Sequence, residues 1–293
     1  MRVTQTMLSR NALYRLGQRR EAMDDIQNRI SSGRRVQKAS DDPTAFSRAE
    51  RMTTRITQNE QYLRNIDSSE AWIDNTVSLM QSLSEVVIQA KDMANRGADG
   101  QADANIRNTL ADQTESLLQE AMSIVNSQYL NKSVFAGSDT QIKNPFVENA
   151  GVVSYLGNDQ SMSRQYSENV SIEINVDGQS IMDTGVFDAM SDLITSLRAN
   201  DENAIRATID DLKTAGDKML GLTALAGTRS SNLRLIRNRL EQTNIDLESF
   251  RSEARDARLD KEIVSFQTEQ ISYQAALQVT AKTINLNILQ YLG

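Results

Sequence analysis

The chain has 293 residues, a formal net charge of -7, and 39% hydrophobic but only 5% aromatic residues. It contains neither cysteine nor histidine, which excludes disulfide scaffolds, thiolate metal sites and thiol catalysis and removes the commonest general base. The acidic balance argues against a general nucleic-acid binder, and no window approaches the roughly 18 apolar residues of a membrane-spanning helix.

The first predicted element is a helix. Leu16, Met23 and Ile30 recur every seven residues, and Ala12, Leu13 and Ile26 fill the same stripe. Arg2, Arg10, Arg15, Arg19, Arg20 and Arg29 outnumber Glu21, Asp24 and Asp25 here, a local basic patch on an acidic chain. Met1 to Tyr14 lacks the continuous apolar core of a secretory signal, so any export is expected to proceed without one. Ser31, Ser32 and Gly33 end this helix, with Gly33 suited to the left-handed cap. Asp42 and Pro43 open the next, Asp42 as the capping acceptor and Pro43 in the first turn, where its missing N–H costs nothing. Asp41 and Asp42 are thereby accounted for as turn and cap residues, with no catalytic carboxylate required.

Glycine and proline place the long elements. Residues 44–96 and 228–292 contain neither, and continuous helices of these lengths would reach about 80 and 100 Å. In the first run Ile66, Ile73, Met80, Val87 and Ala94 hold a heptad, with Ile56, Leu63 and Val77 at the companion position. Ile106, Leu110, Leu117 and Ile124 predict a third helix.

The middle of the chain changes period. Val170, Ile172, Ile174 and Val176 alternate with polar residues and run into Asp177-Gly178, a hairpin signal, with Val152, Val153, Tyr155 and Leu156 as the expected partner strand. Residues 141–185 therefore read as a small β-rich insertion. Two shorter helices are expected near 187–198 and 202–220.

In the last run Leu233, Leu240, Leu247 and Ala254 share a frame, which breaks in the charged stretch from Arg251 to Glu262. A new frame follows through Ile263, Leu277, Ile284 and Tyr291, with Phe266, Tyr273 and Ile288 beside it. Residues 261–293 carry only Lys261, Glu262, Glu269 and Lys282 as charges, as suits a surface buried among copies. The fold class is thus mainly α, a long helical coiled-coil rod formed by the N- and C-terminal segments with a small β-rich insertion. The assembly interface is expected at Leu13, Leu16, Met23, Ile26, Ile30, Ile263, Phe266, Tyr273, Leu277, Ile284, Ile288 and Tyr291.

Paired acids such as Asp24-Asp25 and Asp210-Asp211 read as solvated helix faces rather than glycosidase carboxylates, and no phosphate loop or metal-ligand spacing accompanies them. No enzymatic activity and no cofactor or metal is expected. An intracellular coiled-coil scaffold would explain the heptads and the missing cysteine. It leaves the central β insertion unexplained, because a helical hairpin would place its tip there.

Ser31-Ser32-Gly33-Arg34-Arg35-Val36 through Ser40-Asp41-Asp42-Pro43 resembles the N-terminal signature of the flagellin superfamily. Phe135-Ala136-Gly137-Ser138, Thr140, Asn144-Pro145-Phe146 and Tyr155-Leu156-Gly157-Asn158 are similar to its central blocks. Gln274-Ala275-Ala276-Leu277 through Leu289-Gln290-Tyr291-Leu292 is similar to its closing helix. Ala39 and Ala136 depart from a common proline and glycine. The Asp-Asp-Pro ending is closer to the hook-associated, junction-forming branch than to the filament-forming one, which commonly has Asp-Asp-Ala.

The resemblance implies that residues 1–40 and 259–293 pair as an inner-tube domain. Residues 41–140 with 186–258 would form a helical rod domain, and 141–185 an outer β-rich domain, with Ser32, Gly33, Asp41, Asp42 and Pro43 marking the boundary. It implies a junction subunit that assembles with itself, hook-associated protein 1 and flagellin. A flagellar export chaperone and the type III export apparatus would deliver it to the extracellular flagellum. A filament-forming flagellin paralogue is the alternative. Because narrow stripes bury little area for so many ordered residues, folding of the terminal helices is expected to be coupled to polymerisation.

Overall fold

The computed structural model describes residues 5–149 and 151–292, with side chains described except at positions 5, 6, 8, 9 and 283–292. Seven helices and six short strands are present among the described residues. The helices are α1 (Gln5–Ser32), α2 (Pro43–Gly97), α3 (Ala104–Val125), α4 (Gly178–Met182), α5 (Val186–Arg198), α6 (Glu202–Arg255) and α7 (Leu259–Leu292). The strands β1 (Gln128–Tyr129), β2 (Lys132–Ser133), β3 (Phe146–Asn149), β4 (Val152–Tyr155), β5 (Ser163–Ser167) and β6 (Val170–Glu173) lie between α3 and α4. The chain divides into two compact units, one formed by residues 1–57 with 243–293 and the other by residues 58–242.

The second unit holds the main core. Ile66, Ile73, Met80, Val87 and Ala94, the heptad of α2, are all buried and join Leu212, Ala215, Met219 and Leu233 of α6 in one apolar cluster. On α3 the buried seam is Arg107, Leu110, Ala111, Thr114, Leu118, Ala121 and Val125. The expected stripe of Ile106, Leu110, Leu117 and Ile124 is therefore rotated by about one residue, and Ile106 is exposed. Small residues, Ala111 and Ala121, occupy the seam facing α5, where close helix approach matters more than side-chain size.

A charged cluster ties α6 to α2 within this unit. Arg234 pairs with Glu70 at 2.7 Å and Asp74 at 3.0 Å, and Arg237 pairs with Asp67 at 2.8 Å and with Glu70. Buried Arg107 donates to the Gly97 carbonyl at 2.9 Å and to Asn200 Oδ1 at 2.6 Å, satisfying backbone left open where α2 ends.

The β region is three antiparallel hairpins, β1-β2, β3-β4 and β5-β6. Two expectations are corrected here. Val152–Tyr155 pairs with Phe146–Asn149, and Val170–Glu173 pairs with Ser163–Ser167 across a turn in which Asn169 takes a φ of 68°. Asp177-Gly178 is no hairpin turn: the Asp177 carboxylate accepts the Ser180 amide at 2.8 Å and caps α4. Asp is a strong N-cap residue, and the strand before it had already found a partner upstream. The predicted helix at 202–220 is also only the start of α6, which runs through Gly216, Gly221 and Gly227 to Arg255. Burial of Met219, Ala226 and Leu233 offsets a cost of about 1 kcal/mol for each interior glycine.

Candidate functional site

Within the first unit, α1 and α7 pack on each other. Arg19 Nη1 lies 2.8 Å from Glu269 Oε1, and Arg29 lies 3.7 Å from Glu262. The earlier residue of α1 meets the later residue of α7, so the pair is antiparallel. Leu16 is buried at its centre, with Ala12, Met23, Ile26 and Ile30 half-buried along the same face. The matching face of α7 is Glu262, Phe266, Glu269, Tyr273, Ala276 and Thr280, spaced four, three, four, three and four residues apart. That alternation is the spacing of a coiled-coil seam.

Six of the residues expected at the interface, Leu16, Met23, Ile26, Ile30, Phe266 and Tyr273, thus line the intrachain seam. Leu13, Ile263 and Leu277 stay exposed beside it. Ile284, Ile288 and Tyr291 lie outside the residues whose side chains are described. At 100° per residue, Val264 and Ile271 point away from the seam, and both are more than 60% exposed, as is Val279. The seven-residue frame selects one stripe per helix and therefore missed these three. Their apolar character in a helix so poor in charge was the available signal.

The segment that turns α1 into α2 is tied to the break between α6 and α7. Gly33 takes φ 67°, a left-handed conformation that suits glycine and lets its carbonyl accept the Ala257 amide at 2.9 Å. Arg35 and Val36 donate their amides to the Arg255 carbonyl at 2.8 and 3.1 Å, and the Arg35 guanidinium reaches the Ala254 carbonyl at 2.9 Å. Asp41 Oδ2 accepts the Gln37 and Lys38 amides at 3.0 and 3.1 Å. Asp42 Oδ1 accepts the Ala45 amide at 2.9 Å, so Asp42 caps α2 and Pro43 stands in its first turn. Those amides, that of Gln37 at Asp41 and that of Ala45 at Asp42, hold both carboxyls below their ordinary value. Ser32 Oγ accepts the Gln37 side-chain amide at 2.8 Å and closes the loop.

The central blocks singled out in the sequence converge on Tyr155 in the second unit. Its hydroxyl lies 2.9 Å from the carbonyls of Phe135 and Asn158 and accepts the Gly178 amide at 3.3 Å. Burial pushes this phenol up to about 12. The ring packs on Phe146 at a centroid distance of 5.1 Å, and Phe146 packs on Phe187 at 5.6 Å. Asn126 brackets the Phe146 backbone, donating to its carbonyl and accepting its amide, both at 2.9 Å. A Cβ at Gly178 would stand 2.2 Å from Tyr155 Cε2, so only glycine fits.

Paired terminal helices with a capped elbow between α1 and α2 characterise the first unit, and the cluster of Phe135, Phe146 and Tyr155 on a small β region characterises the second. The bacterial flagellin N-terminal helical region matches residues 3–140, which hold the elbow and the first of these blocks. Over that stretch, just under half of its length, the chain is similar to the flagellin family. Members of this family are structural proteins of the flagellum rather than enzymes.

The flagellar hook-associated protein 3 of Escherichia coli (strain K12) is 26% identical over 171 residues, 56% of this chain and 51% of that protein. The chain thus matches about half the length of that relative. Flagellin of Bacillus subtilis (strain 168) is 23% identical over 317 residues, with both chains covered in full. Among solved structures, a flagellar hook-associated protein of Vibrio parahaemolyticus superposes with a TM-score of 0.68 at 20% identity, over 74% of this chain and 100% of that one. The flagellar junction protein FlgL of Legionella pneumophila gives 0.60 at 12% identity, over 73% and 100%. At these identities the likeness establishes the shared fold.

Proposed function

We propose that this chain is a junction subunit of the bacterial flagellum, linking hook-associated protein 1 to the flagellin filament through its terminal helices. The observation that carries this reading is the two-faced α7: one face closes on α1, while Val264, Ile271 and Val279 remain outside the seam and exposed. In a family of flagellar structural proteins, exposed apolar residues on a terminal helix fit burial against further copies. The Asp42-Pro43 elbow and the hook-associated relatives favour the junction over the filament.

In this reading residues 1–40 and 259–293 form the inner layer of the assembly, 41–140 with 186–258 the helical layer outside it, and 141–185 the solvent-facing part. The subunit is delivered by a flagellar export chaperone through the type III apparatus to the extracellular hook-filament junction. The seam of α1 and α7 consolidates as neighbours add burial. Rapid amide exchange of residues 5–30 in the purified monomer supports that coupling, and strong protection there refutes it.

A deletion strain viewed by electron microscopy tests the main reading. Bare hooks with flagellin shed into the medium are expected; complete filaments exclude an essential junction role. The end-to-end match to a flagellin favours a second reading, a filament-forming paralogue. That reading predicts the chain along the whole filament in immunogold images, whereas the junction reading predicts label confined to its base.

A further inference from the structure

The stretches of α2 and α6 that pack together in the second unit are opposite in make-up. Ser230 of α6 donates to Asp74 at 2.7 Å, and a Cβ at Gly216 would stand 3.7 Å from Val87, so residues 74–87 of α2 face residues 216–230 of α6. The α2 stretch holds no glycine and buries Met80, Leu83, Val86 and Val87. The α6 stretch holds Gly216, Gly221 and Gly227, and it buries one large side chain, Met219, with the small Ala226. Local stability follows buried contacts, so the two partners are unequal.

Packing does not require these glycines. A Cβ at Gly221 or Gly227 would meet no neighbour within 4 Å, and the 3.7 Å approach of Gly216 to Val87 is an ordinary contact. Alanine would therefore fit, whereas glycine is the poorest helix former after proline because it leaves the unfolded chain the most freedom. Two threonines add to the weakness. Thr223 and Thr228 turn their hydroxyls back onto the Met219 and Ala224 carbonyls, both at 2.9 Å, a bond that slightly destabilises and bends helices. The arms on either side are held more firmly. Before the stretch, Arg206 donates to the Ala98 carbonyl at 3.1 Å; after it, Arg229 donates to the Asn175 carbonyl at 2.8 Å, and Arg234 and Arg237 join Glu70. Between them stands an exposed tie, Lys218 to the Asp183 carbonyl at 3.2 Å.

We propose that residues 216–227 form a flexure, a stretch of α6 whose helical hydrogen bonds open locally while the pinned arms on either side stay in place. Its use rests on the assembly reading: a compliant α6 lets each copy follow its neighbours without breaking either set of ties. Stability that alanine would supply is given up for that freedom, the usual exchange where function needs motion.

Amide exchange of the full chain, followed by mass spectrometry, tests the flexure. Residues 217–228 should exchange about tenfold or more faster than residues 76–87 of α2 and than the flanking arms of α6. Gly221→Ala and Gly227→Ala place a methyl in open space, and each should slow exchange of the stretch about fivefold. The double variant should melt higher than the parent and yet lose swimming when it replaces the parent in the deletion strain. Uniform protection along α6, alanine variants that leave the exchange unchanged, or a stiffened double variant that swims like the parent each overturn the proposal. Exchange is read on the isolated chain, so it stands or falls apart from the assembly reading, which the deletion strain tests.

Discussion

Ile271→Asp separates an assembly role for α7 from a purely intrachain one. Ile271 is 67% exposed and faces away from the α1 seam, so the isolated subunit loses little when it is changed, within about 0.5 kcal/mol. Full burial of an isoleucine stabilises by about 1.5–3 kcal/mol, and two-thirds of that side chain is still in water, so a neighbouring subunit would gain about 1–2 kcal/mol by covering it. Placing an aspartate there adds a desolvation cost of several kcal/mol unless the charge finds a partner. The combined loss, about 3–5 kcal/mol per contact, lowers the association constant by roughly two to four powers of ten. The variant should melt like the parent in circular dichroism and should fail to restore filaments in the deletion strain. Normal filaments from Ile271→Asp would refute the reasoning, and so would a collapse of the isolated subunit's melting temperature.

Three further outcomes follow from the geometry. Tyr155→Phe strips a hydroxyl from the Phe135 and Asn158 carbonyls and the Gly178 amide, and should cost about 1–3 kcal/mol, or about 2–12 °C in the melting of residues 58–242. Because burial raises this phenol to about 12, its contribution is complete below pH of about 10, the unfolded value, and disappears as pH rises through about 12; the variant should lack that alkaline slope in parallel denaturant titrations. Gly178→Ala forces a methyl to within 2.2 Å of Tyr155 Cε2 and 2.7 Å of the Phe135 carbonyl, and should destabilise by about 1–3 kcal/mol in a urea melt. Asp42→Ala removes the acceptor for the Ala45 amide and should raise hydrogen exchange at Thr44, Ala45 and Phe46. The parent should fray there as pH falls through the lowered carboxyl value, since a depressed acid stabilises only above it.

The sequence by itself determined the helical framework. A strict heptad such as Ile66 to Ala94 has one buried face, and spacing alone identifies it; the breaks at Gly33, at Asp42-Pro43 and between Arg251 and Glu262 are local chemistry of caps and charges. Tertiary structure decided which surface each face meets. Val152–Tyr155 has the same alternation whichever strand it pairs with, and only the fold places Phe146–Asn149 beside it. Asp-Gly serves equally as a hairpin turn and as a helix cap, and the strand pairing upstream settled that choice at Asp177. On α7, Phe266 and Ile263 look alike in sequence, yet one enters the seam with α1 and the other stays exposed, because the antiparallel partner fixes the rotation of the helix.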